Sequence, residues 1–348
     1  MNRTISSSFL AISIVSLFSC ASQSSADHET RLNGAGSTFA YPLYSKWADA
    51  FGKVHPEVAV DYQSIGSGGG IGLVTDGRAD FGATDGPMTD EQIKTFVEQR
   101  GCSVLHLPMA LGADVPSYNL PGVTAELKFT PRALAGIFLG SIKKWNDPEL
   151  TAANPEVTLP SADIVVIHRS DGSGTTYVWS DYLSKVSDEW RTKVGRSTSV
   201  NWPVGTGASG NQAVADLIAA TPNSIGYVEL TYAIRSKLSF GQVQNAAGQF
   251  VKAELWSVTA AAAEAARSMP DDFRVSITNA PGQNAYPVSS FTWILVPVKI
   301  ADTTKKQALV AFLNWGLTDG QTFADSLSYS RLPEAVIKKT QSAISQIQ

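Results

Sequence analysis

Apolar positions recur along this chain with two different periods. Short, mostly apolar runs at 104–107, 164–167 and 291–296 have the length of buried strands, and Val58-Ala59-Val60-Asp61-Tyr62 alternates like a half-buried one. Between such runs the spacing becomes helical. Leu43, Trp47, Ala50 and Phe51 share one helical face, and similar segments predict helices at 40–53, 89–100, 131–138, 175–185, 211–220, 257–267 and 304–315. Strands alternating with helices predict an α/β fold, with helices packed on the faces of a sheet.

Glycine, serine and threonine gather at three of the junctions between these elements. The most informative is Arg169-Ser170-Asp171-Gly172-Ser173-Gly174-Thr175-Thr176, entered by Val165-Val166-Ile167-His168. Gly172 and Gly174 admit a ligand close to the backbone. The first N–H groups of the helix that follows have no intrahelical partner, so they face whatever sits there. Arg169 can add a bidentate fork to an oxyanion. The ordinary alternative is a helix cap at Ser173 or Asp171. Gly34-Ala35-Gly36-Ser37-Thr38-Phe39 places Ser37 and Thr38 at a second helix start, or forms a capping turn with Phe39 in the core. Ile65-Gly66-Ser67-Gly68-Gly69-Gly70-Ile71-Gly72 is the third, and a flexible loop is its ordinary reading. It does not fit G-x-G-x-x-G, because Ile71 takes the last glycine position counted from Gly66. No Gly-Lys-Ser/Thr follows, so an NTPase phosphate loop is also unsupported.

A fourth segment, Asp80-Phe81-Gly82-Ala83-Thr84-Asp85-Gly86-Pro87, puts an acid beside a turn. Such an Asp commonly bonds its own backbone. Facing an anion, Asp85 is tolerable only where the anion carries a proton to donate. An anion that keeps a proton near neutral pH meets that condition, and a fully deprotonated one does not. An unmatched buried acceptor of this kind discriminates by about 10⁴–10⁵.

Composition narrows the class. At 348 residues the chain exceeds one typical core, so two domains are expected. A net charge of −4 without a Lys/Arg cluster argues against nucleic acid. His28, His55, His106 and His168 show no metal-ligand spacing, so no metal or cofactor is expected. His168 reads as structural, since strand neighbours point to opposite faces. Residues 1–26 read as an export signal and tether: Arg3, then an apolar stretch at 9–18 too short to span a membrane. Leu17-Phe18-Ser19-Cys20 looks like a lipoprotein signal, with Cys20 lipidated; cleavage after Ser24-Ser25-Ala26 is the competing site. Either leaves an exported protein, in the periplasm or lipid-anchored at the outer face of a membrane. Cys102 is then the one cysteine besides Cys20, so no disulfide framework is expected, and Cys102 reads as a small buried hydrophobe.

The four segments at 34–39, 65–70, 80–85 and 169–175, in that order, resemble the phosphate-binding proteins of bacterial phosphate-specific ABC transporters. The resemblance continues through Gly136-Ile137-Phe138-Leu139-Gly140, Lys144-Trp145-Asn146, the stretch from Trp190 to Trp202, and Ile225-Gly226-Tyr227-Val228-Glu229. It covers nearly the whole chain after the leader. It implies a two-lobed periplasmic-binding-protein fold of type II, with a ligand cleft between lobes joined by two crossover segments. Lobe 1 would comprise 32–108 plus 285–348, and lobe 2 would comprise 109–284. Crossings are expected near Pro108–Pro116 and Gln283–Pro287.

By the same resemblance, Thr38, the Phe39 amide, Ser67, Asp85, Arg169, Ser173, the Gly174 amide and Thr175 would bind phosphate. Asp171 would steady Arg169. Ser37 stands where alanine is frequent, and Thr84 where serine is. The implied function is phosphate capture by a monomeric receptor and delivery to membrane-embedded permease subunits, without catalysis. Two alternatives remain at this level: a receptor for another oxyanion, and a phosphate-ester hydrolase. Ser67 and Ser173 are poor nucleophile candidates, because Ile65 and Asp171 take the leading glycine position of G-x-S-x-G.

Overall fold

The computed structural model describes residues 29–348; the expected export segment and Cys20 lie outside the described residues. The strands are β1 (Thr30–Gly36), β2 (Val58–Ser64), β3 (Phe81–Thr84), β4 (Val104–Asn119), β5 (Lys128–Phe129), β6 (Val165–Arg169), β7 (Thr206–Ala208), β8 (Ser224–Glu229), β9 (Ser239–Phe240), β10 (Gln242–Gln244), β11 (Phe250–Val251) and β12 (Ser289–Pro297). The helices are α1 (Tyr41–Val54), α2 (Ser67–Thr75), α3 (Asp90–Arg100), α4 (Pro131–Leu139), α5 (Pro148–Ala153), α6 (Gly174–Val186), α7 (Asp188–Lys193), α8 (Gly210–Ala220), α9 (Leu230–Arg235), α10 (Leu255–Arg267), α11 (Thr303–Leu317) and α12 (Glu334–Ile344).

One sheet runs β2-β1-β3-β12-β4-β8-β6-β7, with β9 also on β4, and β11-β10-β5 form a small second sheet. β2, β1 and β3 are parallel on one side, and β8, β6 and β7 are parallel on the other. β4 joins the two sides. Its residues Val104 to Ala113 pair antiparallel with β12, and Asp114 to Asn119 pair antiparallel with β8. The chain therefore passes from one half of the sheet to the other inside a single strand, between Ala113 and Asp114.

β4 is far longer than the run at 104–107 that the sequence marks. Pro108, Gly112 and Pro116 look like breakers, yet the strand absorbs them. The register against β12 slips between Thr292 and Trp293, so Met109 is bulged out beside Pro108. Proline has no N–H for the ladder, and a bulge is where a sheet tolerates one.

The glycine run at 65–72 is also more ordered than a flexible loop. Ser67 begins α2, which packs on β1 and β3. A Cβ at Gly70 would collide with Ala35 O and Gly36 Cα, so the glycines let this helix lie against the strand backbones. Glycine lowers helix propensity by about 1 kcal/mol per residue, so packing rather than propensity holds α2.

The core lies on both faces of the sheet. α1 buries Leu43, Tyr44, Trp47 and Phe51, and the Trp47 indole donates to Gly320 O (2.7 Å). Phe39 sits in the same core against Tyr329. Removing one such aromatic side chain would cost about 3–5 kcal/mol. Cys102 is buried with Ile71, Val74, Met88, Phe96 and Leu295, as a small hydrophobe. His168 stacks on Trp202 (4.8 Å between rings), a structural setting.

Candidate functional site

The parallel strands deliver their C-terminal ends to one place. β1 ends at Gly36 and hands over Ser37, Thr38 and Phe39; β2 leads to Ser67 at the first position of α2; β3 ends just before Asp85. From the other half, β6 ends on Arg169 and leads through Asp171 to Ser173 and α6. Ligands of open α/β sheets bind outside the carboxyl ends of strands, where sheet order reverses. All nine residues singled out from the sequence flank this convergence, though Phe39 turns its ring into the core and offers only its backbone.

The two halves touch here. Gly68 N–H donates to Gly172 O (2.9 Å). The Tyr232 hydroxyl donates to Thr38 O (2.6 Å). A Cβ at Gly174 would run into the Asp85 carboxylate and the Ser67 hydroxyl, so only glycine permits this approach at the start of α6. Gly66 has φ +87°, a conformation glycine adopts without strain, and it turns the chain into α2 beside Asp171.

Arg169 is 2% exposed and already paired. Its Nε and Nη2 grip Asp171 Oδ1 and Oδ2 (2.7 and 2.5 Å), and Nη1 donates to Thr175 Oγ1 (3.2 Å). Burial pushes the Asp171 carboxyl up, but the Arg169 fork and charge outweigh it and hold it below the usual carboxylate range. The Tyr227 hydroxyl accepts from Arg169 N (3.2 Å), fixing the strand end from behind. Ser173 caps α6 by accepting from Thr176 N (3.0 Å). Its capping role and a place beside an anion are therefore compatible.

Asp85 is buried among hydroxyls. Ser37 Oγ lies 2.7 and 2.6 Å from its two oxygens, Thr292 Oγ1 donates to Oδ1 (2.7 Å), and Ser67 Oγ is 3.4 Å from Oδ2. Burial pushes this carboxyl up to about 6, against the opposing pull of Ser37, Thr292, Arg169 and Ser67. The sequence places Ser37 at a helix start but gives no sign that it holds Asp85, and Thr292 carries no signal at all. Ser37 looked like a neutral departure from alanine, and Thr292 lies within a buried strand.

Asn211, in the first turn of α8, was missed as well. Its Oδ1 accepts from Glu229 N (3.0 Å), which sets the amide's orientation. Its Nδ2 then donates to both Thr38 Oγ1 and Thr175 Oγ1 (2.9 Å each). Asn211 N adds a bond to Thr38 Oγ1 (3.3 Å), and Arg169 Nη1 adds one to Thr175 Oγ1. Each threonine hydroxyl thus has both acceptor positions filled. Its O–H proton is left to point at a ligand. The sequence does mark a helix start at 211, but its contacts with Thr38 and Thr175, 173 and 36 positions away, are made only by the fold.

The arrangement offers donors from two helix starts and two hydroxyls, one guanidinium, and one buried acceptor. Among the described residues no group of three or more His, Cys, Asp or Glu side chains could hold a metal ion. No helix among them is long and apolar enough to cross a membrane.

The chain matches the model of the PBP superfamily domain over residues 21–319. It is 42% identical over 310 residues to the phosphate-binding protein PstS of Xylella fastidiosa (strain Temecula1), covering 89% of this chain and 83% of that one. It is 43% identical over 311 residues to PstS of Pasteurella multocida, covering 89% and 88%. The crystal structure of a phosphate-binding protein from Stenotrophomonas maltophilia shares the fold, with a TM-score of 0.69 at 17% identity over 90% of this chain and 93% of that one. With a type II periplasmic-binding-protein fold and relatives this similar over nearly its full length, the chain belongs to the PstS family of phosphate-binding proteins, within the PBP superfamily.

Proposed function

We propose that this protein is an extracytoplasmic receptor that binds one inorganic phosphate between the two halves of the sheet and passes it to the permease of an ABC transporter. The observation that carries this reading is the opposition of Asp85 and Arg169 across two helix starts. A guanidinium paired with Asp171 through Nε and Nη2 still turns Nη1 towards the site and attracts an anion without holding it irreversibly. A buried carboxylate facing that anion requires it to bring a proton. Phosphate meets both conditions.

In this reading Thr38 and Thr175 donate the protons that Asn211 leaves free. The Phe39 and Gly174 amides and the Ser67 and Ser173 hydroxyls complete the cradle. Arg169 pairs with the anion while Asp171 steadies it, and Asp85 accepts the phosphate O–H. The lobes are 32–108 with 285–348, and 109–284, and they close by a hinge that includes β4. The protein acts as a monomer after export, with residues 1–26 as signal and tether and Cys20 as the lipid-bearing residue if the lipoprotein site is used. No catalytic residue is assigned: Ser37, Thr292 and Ser67 hold the Asp85 carboxylate, and Ser173 caps α6.

Calorimetric titration of the leaderless protein, stripped of bound anion, tests this. Tight one-to-one binding of phosphate with no response to sulfate near neutral pH is the expected outcome. Comparable sulfate binding would reassign the protein to another oxyanion, and turnover of a phosphate ester would make it a hydrolase.

A further inference from the structure

Behind the cradle lie two acids that phosphate binding does not use. Asp114 is the first residue of β4 to pair with β8, and its partner in the register is Glu229. Residues directly opposite on adjacent strands send their side chains to the same face, where like charges repel. Both side chains are fully buried. Among the described residues neither oxygen of the Asp114 carboxyl has a hydrogen-bond partner, and Glu229 Oε1 has none. Glu229 Oε2 is occupied, accepting from Thr231 N (2.8 Å) and the Tyr329 hydroxyl (3.3 Å).

The charges around Asp114 are Asp85 and Glu229, both negative, and Arg169. Tyr227 and Tyr286 also face it, and Tyr232 and Tyr329 face Glu229, all four held neutral by burial. The single cation is already committed to Asp171. Three further buried carboxylates cannot all stay ionised beside it, and a neutral acid is how a buried unpaired carboxyl resolves that conflict. Burial and the charges of Asp85 and Glu229 push Asp114 well above the usual carboxylate range, and burial does the same to Glu229.

The geometry points to a proton-binding site formed by Asp114 and Glu229, which takes up a proton when an oxyanion settles beside Asp85 and Arg169. The inference rests on the phosphate reading above. The anion adds negative charge next to Asp85, which already acts on both acids, and closure keeps water away from them. Both effects favour the protonated form. The proton comes from solvent, and one carboxylate oxygen becomes an O–H. Binding is then linked to pH: uptake of a proton means affinity declines as pH rises through the range where the free protein has lost that proton.

The test is calorimetric titration with inorganic phosphate near pH 7.5, in buffers of different ionisation enthalpy, on the exported wild type, Asp114→Asn and Asp114→Val. Each series gives the protons taken up per phosphate bound. The wild type is expected to exceed both variants by up to about one proton, and its affinity to fall more steeply with pH by up to about tenfold per unit. The proton released or kept by phosphate itself is common to all three and cancels. Equal proton counts overturn the inference while leaving phosphate binding intact. Failure of the wild type to bind phosphate overturns both readings. Should neither variant fold, infrared difference spectra of the wild type decide: phosphate must add a protonated-carboxyl band, and its absence sinks the proposal.

Discussion

The two sides of the cleft are built in opposite ways. The Arg169 side is contiguous: the cation, its partner Asp171, the cap Ser173, Gly174 and Thr175 span seven residues, and the guanidinium's bonds to Asp171 and Thr175 close within that span. The Asp85 side is assembled from afar. Ser37 reaches Asp85 from 48 positions away and Thr292 from 207. The contiguous side holds charge that is fixed at any ordinary pH. The assembled side holds charge that hydroxyls keep in place against burial. Attraction therefore resides in the first and selectivity in the second, and perturbing each should separate them.

The largest effect is expected at Asp85. Asp85→Asn keeps the shape but turns an acceptor that cannot donate into a group that can do both. Sulfate loses its reason for exclusion, so the ratio of phosphate to sulfate affinity should fall by up to about 10⁴. Competitive titration of the two anions measures it. A ratio that hardly moves would mean that selectivity is set elsewhere, most plainly on the Arg169 side.

Asn211 is the one side chain that serves both sides at once, so it comes next. Asn211→Asp replaces the Nδ2 donor by an acceptor, which draws the Thr38 and Thr175 protons towards itself and adds negative charge near the anion. Hydrogen bonds to charged groups are worth about 1.5–3 kcal/mol, so a loss of roughly 10²-fold in phosphate affinity is expected. The check is a double-mutant cycle with Thr175→Val. If Asn211 acts through the hydroxyl, the two losses are strongly non-additive. Simple additivity would reduce Asn211 to a packing residue.

Ser37 sharpens the comparison through pH. The Asp85 carboxyl titrates at about 6. Above that it is a carboxylate and accepts from phosphate; as pH falls through it the proton arrives, the acceptor is lost, and sulfate gains a donor. Selectivity is thus present above about 6 and lost below it. Ser37→Ala removes a hydrogen bond that favours the charged form, worth about 1.5–3 kcal/mol, or about one to two pKa units. The pH at which selectivity fails should move up by that amount. A profile identical to the wild type would show that Thr292 and Ser67 suffice.

The same contrast explains what the sequence made legible. The contiguous side announces itself, because a strand, a Gly/Ser turn and a helix start are local patterns. α6 begins at Gly174, one residue before the predicted start, and Ser173 is its cap. The assembled side shows Thr38, Phe39, Ser67 and Asp85 in its motifs, but not what holds Asp85. Ser37, Thr292 and Asn211 are ordinary residues whose value comes from contacts the fold creates across long separations. β4 was cut short for a related reason: Pro108 and Pro116 break a strand only if their missing donors are needed. A bulge at Met109 and a change of partner at Asp114 are tertiary facts. The glycine run at 65–72 was read as a loop because its reason for glycine, contact with β1 and β3, is not local either.

The smallest expected effect is optical, and it reads the Arg169 side from behind. Trp145 and Trp179 are fully buried, whereas Trp202 is half-buried. Trp202 stacks on His168 (4.8 Å) and on Tyr227 (5.6 Å). Tyr227 in turn accepts from Arg169 N and shares a hydrogen bond with Thr176 Oγ1 (2.7 Å). A shift at the start of α6 is therefore passed through one tyrosine to the one indole of these three that meets solvent. Trp202→Phe should remove most of the change in fluorescence on adding phosphate while leaving affinity within about threefold, because a conservative aromatic swap at a partly exposed site costs little. Trp145, tied to Asn223 O (3.0 Å) on the far side of β8, should be silent when replaced by Phe. If instead Trp202→Phe keeps the signal, the motion that accompanies binding does not pass through the Arg169 strand end. The Asp85 side would then be the half that moves.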